Sequence, residues 1–273
     1  MLMNASTWKK AFGVDFAAGA KLVLIAHQQT PLAGLREWEE YPYPESWYTA
    51  PHLIWAKVGS RSWYQLDGDT HTAAAYRAGH DISQPPPAQP NAYKLAALPL
   101  QPIASKPYLI GFIGNLGYPR HHVRTLMRHL HNGQDIQLRT TRAATGNSFE
   151  LYAEFMMNTT FAIHLRGDTK WTHRLIETIC AGSIPVLITD YLVPPFEDSV
   201  PWESYGILIN QSQWNETVNI LQAIPMERRR HLQHAARRAC NTMFKTVPLQ
   251  IQHVLQTVTS RTRVPCLSCI GYR

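Results

Sequence analysis

The chain has 273 residues, of which 45% are hydrophobic and 16% are charged. This length suffices for one large domain or two modest ones, and the composition excludes an intrinsically disordered protein. The formal net charge of +7 suits an anionic ligand such as a nucleotide diphosphate, and equally nucleic acid, an acidic glycan or a membrane surface. No segment is apolar over a span sufficient for a bilayer, and the N-terminus shows no signal-peptide pattern, so the chain as given is expected to be soluble.

The first 84 residues are rich in aromatic side chains mixed with prolines and acids. Two short apolar segments, residues 22–27 and 52–58, are typical of strands. Most of the aromatic rings are expected to pack in a core, and one or two exposed rings could stack on sugars. The prolines of segment 84–90 lack amide hydrogens and have restricted φ angles, so the segment predicts an extended crossing between two lobes, residues 1–90 and 91–273.

After this connector the hydrophobic period alternates between strand and helix. Apolar runs predict strands at 107–114, 135–140, 161–165, 184–189 and 205–209. Helical spacing predicts helices at 120–132, 149–157, 173–181, 214–224, 225–243 and 249–260. This alternation predicts an α/β fold with a parallel sheet covered on both faces, and such sheets bind ligands outside the carboxyl ends of their strands.

The segment 161–205 contains the residues with the clearest chemical pattern. Its first strand ends in a loop with Arg166 and Gly167, and a helix is expected to begin near Thr172, whose hydroxyl can cap it. The amides and the positive dipole end of this helix favour phosphate, and Arg174 can add a two-pronged contact. Glu177 lies three residues further, where its carboxylate can accept hydrogen bonds from ribose hydroxyls. Together these residues suit a nucleoside diphosphate.

A surface ion pair is the alternative interpretation of Arg174 and Glu177, and without its context it would be the better one. The context favours a binding site, because a Gly-x-x-Pro-Val turn leads from this helix into the next strand. Gly182 is expected to end the helix with a positive φ angle. Asp190 ends the next strand at the ligand edge, and Pro194-Pro195-Phe196 would fix a loop over the site.

The order of these motifs resembles the C-terminal half of the exostosin family of glycosyltransferases. The family pattern has Arg-Gly, Ser-x-Arg-x-x-Glu-Ala, Gly-x-x-Pro-Val, Asp, Pro-Phe and Trp, preceded by a Gly-x-Asp junction and a Phe-Phe-x-Gly-Asn segment. The matching positions here are Arg166-Gly167, Thr172–Thr178, Gly182–Val186, Asp190, Pro195-Phe196 and Trp202, with Tyr76–Pro86, Phe112–Asn115 and Arg124 upstream. The resemblance covers about residues 76–245.

The resemblance implies a two-lobed GT-B architecture and transfer of a sugar from a nucleotide-diphosphate donor to a glycan, with inversion and without a metal or other cofactor. Arg166 and Arg174 would stabilise the departing diphosphate, and Glu177 would hold the ribose. The other matched positions would belong to the donor site, and these are Gly114, Asn115, Arg124, Gly167, Thr172, Gly182 and Asp190. The general base would come from the N-terminal lobe, with Glu39, Asp67, Asp69, His71 and Asp81 as candidates. Of these, Asp81 is taken as the catalytic candidate, although its junction motif equally suits a structural role.

The chain also departs from the family pattern. Ala162, His164 and Leu165 stand where the family has cysteine and proline, so a local disulfide is not expected there. The part before residue 76 is shorter than the usual acceptor-side domain, which predicts a reduced or partial N-terminal lobe. A non-catalytic binder of a nucleotide sugar or glycan is therefore the alternative function. Nucleic-acid binding through the basic helices ranks third, because no nucleic-acid motif is present.

The cysteines and sequons leave the compartment open. Cys180 and Cys240 lie in apolar, helical surroundings and are expected to be plain core residues. Cys266 and Cys269 form a lone CxxC without a second ligand pair for zinc, which leaves a tail disulfide or free thiols. Four Asn-x-Ser/Thr sequons permit a secretory history, and the family resemblance implies the Golgi or the secretory-pathway lumen. The sequons begin at Asn4, Asn158, Asn210 and Asn215.

Overall fold

A computed structural model describes the backbone of residues 22–26 and 53–58, and residues 79–116, 122–140, 148–165, 172–190 and 192–262. These residues form two parallel sheets with helices around the larger one. The strands are β1 (Leu22–Ala26), β2 (Leu53–Val58), β3 (Ile82–Gln84), β4 (Tyr108–Ile113), β5 (Ile136–Arg139), β6 (Thr159–Leu165), β7 (Ile184–Ile188) and β8 (Ile207–Ile209). The helices are α1 (Pro90–Ala97), α2 (His122–Met127), α3 (Phe149–Met157), α4 (Arg174–Ala181), α5 (Thr217–Gln222), α6 (Met226–Ala239) and α7 (Val247–Thr262).

The larger sheet has the strand order β5-β4-β6-β7-β8, and all its neighbouring strands are parallel. The chain therefore goes outward from β4 to β5 and then returns to the other side of β4 to form β6. In doubly wound sheets, the crevice at such a reversal of strand order is where ligands bind. The carboxyl ends of β4 and β6 mark this position. The smaller sheet has the order β1-β2-β3 and is also parallel.

These sheets confirm the predicted α/β fold class. The two apolar segments of the N-terminal lobe form β1 and β2, and each strand predicted after the connector is present within a few residues of its expected bounds. Helix α1 was not predicted, because Pro90 was assigned to the connector. Proline is tolerated at the first position of a helix, where its missing amide hydrogen would have no intrahelical partner. The domain boundary at residue 90 stays a prediction.

Side chains of the central strands alternate between two apolar clusters, one on each face of the sheet. Phe112, Val186 and Ile188 belong to one cluster, whereas their neighbours Ile113 and Leu187 belong to the other. Every residue of β6 and β7 is buried. This explains why the central strands have continuous apolar runs, since strands that are covered on both faces have no polar side.

The predicted connector leaves β3 and is held by the larger domain. The side chain of Gln250 in α7 donates to the carbonyl oxygen of Pro86 and accepts from the amide of Ala88. The imidazole Nδ1 of His173 lies 3.1 Å from the carbonyl oxygen of Pro87. The connector therefore contacts the residue that directly precedes α4, so the crossing is fixed at both α4 and α7.

Cys180 and Cys240 form a disulfide, and the prediction that they are plain core residues is wrong. Cys180 lies near the end of α4, and Cys240 begins a π-helical turn, Cys240–Phe244, which follows α6. The packing of this turn against α4 brings the two Cα atoms within 5.1 Å. The sequence could not show this pairing, because it depends on contact between elements 60 residues apart.

The carboxyl end of α4 is further fixed at the amino edge of the sheet. Gly182 adopts a φ angle of +73° after the helix, as predicted, and its carbonyl oxygen accepts from the Lys106 ammonium and the Gln233 amide. Lys106 also donates to the carbonyl oxygen of Thr159. Burial, and secondarily the charge of Arg237, lowers the pKa of Lys106 to about 7.

Loss of the disulfide is expected to destabilise the domain. A cross-link that closes a loop of this length stabilises the folded state by about 4 kcal/mol through the entropy of the unfolded chain. Replacing Cys180 and Cys240 by alanine should lower the free energy of unfolding in urea by an amount of this order. In a Cys266→Ser, Cys269→Ser background, a thiol titration of the denatured, unreduced protein should find no free thiol. Two free thiols per chain would contradict the pairing.

Lys106 should make stability depend on pH. Between its folded pKa of about 7 and its higher unfolded value, the unfolded chain binds one more proton than the folded chain. The free energy of unfolding should therefore gain a contribution that rises as the pH increases through this window. The free energy of unfolding of the wild type, measured in urea at several pH values, should increase with pH relative to that of Lys106→Met. The control is Lys94→Met, at an exposed lysine. The difference between its free energy of unfolding and that of the wild type should not change with pH.

Candidate functional site

Two arginines meet at the carboxyl edge of the sheet, at the switch point between β4 and β6. The guanidinium of Arg174, in the first turn of α4, donates to the carbonyl oxygen of Ile113, the last residue of β4. The guanidinium of Arg124, in α2, donates to the carbonyl oxygen of Leu165, the last residue of β6, at 3.2 Å. Each arginine is therefore held by the end of a strand that borders the crevice.

Local sequence places Arg174 at this position. The hydroxyl of Thr172 accepts from the amide of Arg174 at 3.0 Å, which is the hydrogen bond predicted for it, although the residue at the N-cap position is His173. Gly114 follows β4, and a Cβ atom there would lie 2.7 Å from the Phe112 ring and 3.4 Å from Nη1 of Arg174. The Phe112 ring therefore excludes a larger residue at position 114, whereas the distance to the guanidinium is an ordinary contact. Because Thr172 and the next carbonyl groups already accept from the first-turn amides of α4, fewer free amides remain for a phosphate than predicted.

The two guanidinium groups keep unused donors and excess positive charge. Within the described ranges, no carboxylate lies within 4.0 Å of either group, and the ion pair found there is Arg261–Asp198. The Nε atoms of Arg124 and Arg174 are buried and donate to no described acceptor. Burial, and secondarily the charge of Arg174, lowers the pKa of Arg124. Such a pair of half-buried cations favours the binding of an anion.

Glu177 faces the same region from the next turn of α4. It is 8% exposed, and its Oε2 atom accepts a hydrogen bond from the hydroxyl of Tyr152 in α3. No described residue donates to the other oxygen, Oε1. The surface ion pair with Arg174 is not formed, which removes the alternative interpretation of these two residues. Burial, and secondarily the Glu177 charge, raises the pKa of Tyr152, so its hydroxyl stays a donor.

A neutral histidine lies behind the arginines. His164, in β6, is buried, and its Nε2 atom lies 3.1 Å from the hydroxyl of Thr178. Burial, and secondarily the charge of Arg174, lowers its pKa to about 3. His164 therefore adds no charge to the site near neutral pH, and it contacts α4 through the hydroxyl of Thr178.

Tyr152 and His164 were not predicted as site residues. Tyr152 lies in the segment 149–157, for which only a helix was predicted, although a buried tyrosine hydroxyl usually requires a partner. His164 is the one ionisable residue in an otherwise apolar strand segment, which was a signal for a buried polar contact. Neither partner could be identified from the sequence, because Glu177 and Thr178 approach only after α4 packs against α3 and β6.

Several predicted site residues lie elsewhere. Gly182 is at the opposite end of α4 from Arg174, so it shapes the turn into β7 and is not at the carboxyl edge. Asp81 precedes β3, is fully buried, and its carbonyl oxygen accepts from Arg261. Its carboxylate is thus enclosed, which supports the structural role that the junction motif also suggested.

Asp190 and Asn115 lie at the predicted edge. Asp190 follows β7, and its carboxylate accepts from the amide and the side chain of Gln211, which follows β8. This contact connects the carboxyl ends of the two strands. Asn115 is exposed just after β4. The donor-binding roles of both residues stay predictions.

Other predictions fall outside the described residues. They concern Arg166, Gly167, Glu39, Asp67, Asp69, His71, Cys266 and Cys269. In the part of the chain that the structure describes, no three histidine, cysteine, aspartate or glutamate side chains are grouped so as to hold a metal ion. The described helices also include none with the length and apolar character needed to cross a membrane.

Comparison with known proteins gives a consistent result. The Exostosin GT47 domain matches residues 58–224. The chain is 26% identical over 155 residues to the exostosin-1 homolog of Caenorhabditis elegans, covering 50% of this chain and 40% of that protein. Over 76 residues it is 38% identical to the probable beta-1,4-xylosyltransferase IRX10 of Arabidopsis thaliana, covering 28% of this chain and 18% of that protein. The chain thus spans less than half the length of these relatives.

One solved structure with a similar chain path is an alpha-glucosyltransferase (AGT) in complex with UDP. The superposition covers 93% of this chain and 77% of that chain, with 10% sequence identity and a TM-score of 0.46.

Removal of the Tyr152 hydroxyl should destabilise the domain. The variant Tyr152→Phe leaves a buried carboxylate oxygen of Glu177 without its donor, which costs about 1–3 kcal/mol. Urea unfolding of this variant should show a loss of this size. The control Tyr93→Phe changes an exposed tyrosine and should leave the free energy of unfolding unchanged. Equal stability of the two variants would show that the contact between Tyr152 and Glu177 is not formed in solution.

Proposed function

Because the chain belongs to the exostosin GT47 family of glycosyltransferases, we propose that it transfers a sugar from a nucleotide-diphosphate donor to a glycan acceptor. The observation that supports this proposal is the pair of arginines at the switch point of the parallel sheet. Both are held in place by strand-end carbonyl groups and both retain buried donors without a described acceptor. A diphosphate placed outside β4 and β6 would accept from both.

The two guanidinium groups assist departure of the nucleotide. As the bond between the anomeric carbon and the diphosphate oxygen breaks, negative charge develops on the leaving diphosphate. Arg174 and Arg124 are already oriented toward this charge, so the stabilisation requires little reorganisation. Arg166 would add a third cation by its position in the family motif. With protein cations in this role the reaction needs no metal, and no cofactor beyond the donor itself.

Glu177 holds the nucleoside. Its Oε2 atom is occupied by Tyr152, which leaves Oε1 to accept from a ribose hydroxyl. Ribose and diphosphate are adjacent in every nucleoside diphosphate, and Arg174 and Glu177 are adjacent on the same face of α4. One helix turn therefore contacts both parts of the donor.

The acceptor reacts from the opposite side of the sugar. We propose that its hydroxyl oxygen attacks the anomeric carbon as the diphosphate leaves, which inverts the configuration, and that a general base takes the hydroxyl proton. Asp81 is buried before β3, so it does not suit this role. The base is then expected among Glu39, Asp67, Asp69 and His71 of the N-terminal lobe, or in a part of the longer family members that has no counterpart in this sequence.

The disulfide supports a secretory-pathway location. Disulfides persist in oxidising compartments and are rare in the cytosol, and Cys180–Cys240 joins two buried helical segments. The sequon residues Asn210 and Asn215 are exposed, whereas the Thr159 that follows Asn158 is fully buried. We therefore expect residence in the Golgi or another secretory-pathway lumen.

A non-catalytic binder of a nucleotide sugar is the second candidate. The burial of Asp81 favours it, because this removes the one catalytic carboxylate that the family motif suggested. It predicts donor binding without transfer. Nucleic-acid binding receives less support, since Arg228, Arg229 and Arg237 of the basic helix α6 donate to backbone carbonyl groups of the chain itself.

Nucleotide binding should depend on Arg174 and Glu177. Calorimetric titration with UDP, GDP and their sugar derivatives, with and without Mg²⁺, should find one preferred nucleotide whose binding does not require the metal. Arg174→Lys keeps the charge but loses the planar contact, and Glu177→Gln keeps the shape but loses the carboxylate. Each should weaken binding by about 10- to 100-fold, the loss expected for a charged hydrogen bond.

The matched control is Arg230→Ala, at an exposed arginine of α6, which should bind like the wild type. Absence of binding to every nucleotide by a folded sample would reject the proposed function. If binding is confirmed, donor turnover with a glycan acceptor mixture distinguishes a transferase from the non-catalytic binder.

A further inference from the structure

A second concave surface lies outside the carboxyl-edge site. It is an open pocket with a volume of about 550 Å³, lined by residues of α6, α7, the π-helical turn and the connection between β7 and β8. None of the residues that line it was assigned above to nucleotide binding. Its size falls within the range of small-molecule sites, which is about 300–1,000 Å³.

The wall formed by α6 carries Arg238, whose guanidinium forms no ion pair with a described carboxylate. Arg228, Arg229 and Arg237 of this helix donate to backbone carbonyl groups, but Arg238 and His231, which line the pocket, make no side-chain contact of this kind with a described residue. Glutamate and aspartate are absent from the described lining. The pocket therefore favours a ligand with an anionic group, and the guanidinium of Arg238 suits a carboxylate or a phosphate.

The wall formed by α7 offers neutral hydrogen-bonding groups. Gln252 and Gln256 are one helical turn apart, so both side chains face the pocket. Between them, His253 is oriented by its Nε2 atom, which lies 2.9 Å from the hydroxyl of Ser199. The floor is apolar, with the buried side chains of Ala239 and Met243. An apolar floor below a rim of amides matches a sugar ring, which has C–H faces and peripheral hydroxyl groups.

We propose that this pocket binds a sugar that carries an anionic group, a carboxylate or a phosphate. Arg238 and His231 would contact the anion, the two glutamines would contact hydroxyl groups, and the ring would lie on the apolar floor. The site is separate from the nucleotide site, so the proposal does not depend on the proposed catalytic function. A uronic acid and a sugar phosphate share this chemistry, and they are distinguished by testing each.

The test uses the full chain and ligand-observed NMR. The probes are D-glucuronate and D-glucose 6-phosphate, with D-glucose as the neutral sugar and citrate as an anion without a ring. At least one of the first two should bind with a Kd in the millimolar range, and neither glucose nor citrate should bind comparably. Arg238→Gln should weaken this binding about tenfold or more. Gln252→Trp should block it without removing a charge, because residue 252 lines the pocket and is exposed.

The control is Arg230→Gln, at an exposed arginine of the same helix that does not line the pocket, and its binding should equal that of the wild type. Thermal unfolding of each variant verifies the fold. The proposal is overturned if neither acidic sugar binds, if citrate binds as well as they do, or if Arg230→Gln weakens binding as much as Arg238→Gln. Displacement of the acidic sugar by UDP would also overturn it, because the sugar would then occupy the nucleotide site.

Discussion

The guanidinium of Arg174 donates to the last carbonyl group of β4, and this contact connects two parts of the sheet that are far apart along the chain. Arg174 begins α4, which follows β6, whereas β4 lies on the other side of the strand-order reversal. The hydrogen bond therefore bridges the crevice where doubly wound sheets bind ligands. The hydroxyl of Thr172 accepts from the amide of Arg174, and Arg124 makes the corresponding contact at the end of β6.

The same helix is fixed at its other end. The disulfide from Cys180, the positive φ angle of Gly182 and the donors of Lys106 and Gln233 all act at the amino edge of the sheet. Arg237 adds hydrogen bonds to carbonyl groups at the ends of α1 and α4. Because α4 is held at both ends, Arg174 and Glu177 keep their positions without a ligand. Such preorganisation stabilises developing charge at the smallest reorganisation cost.

Patterns along the chain predicted the fold well, because apolar runs and helical spacing are local properties. The hydrogen bond accepted by Thr172 and the positive φ angle of Gly182 were also predictable, since each depends on a few neighbouring residues. The partner of Glu177 was not predictable, nor was the disulfide, because both depend on how separate helices pack. Gly182 and Asp81 belong to family motifs, but motif membership does not show which edge of a sheet a residue occupies. The structure places Gly182 at the amino edge, and it shows that Asp81 is fully buried before β3.

The most direct test is a crystal structure of the full chain with its preferred nucleoside diphosphate. We expect diphosphate oxygens within about 3 Å of guanidinium nitrogens of Arg174 and Arg124, outside the carboxyl ends of β4 and β6. We also expect a ribose hydroxyl on the Oε1 atom of Glu177, with Tyr152 still on Oε2. A nucleotide bound at another surface, or one that contacts neither arginine, would contradict the assignment of the switch point as the donor site.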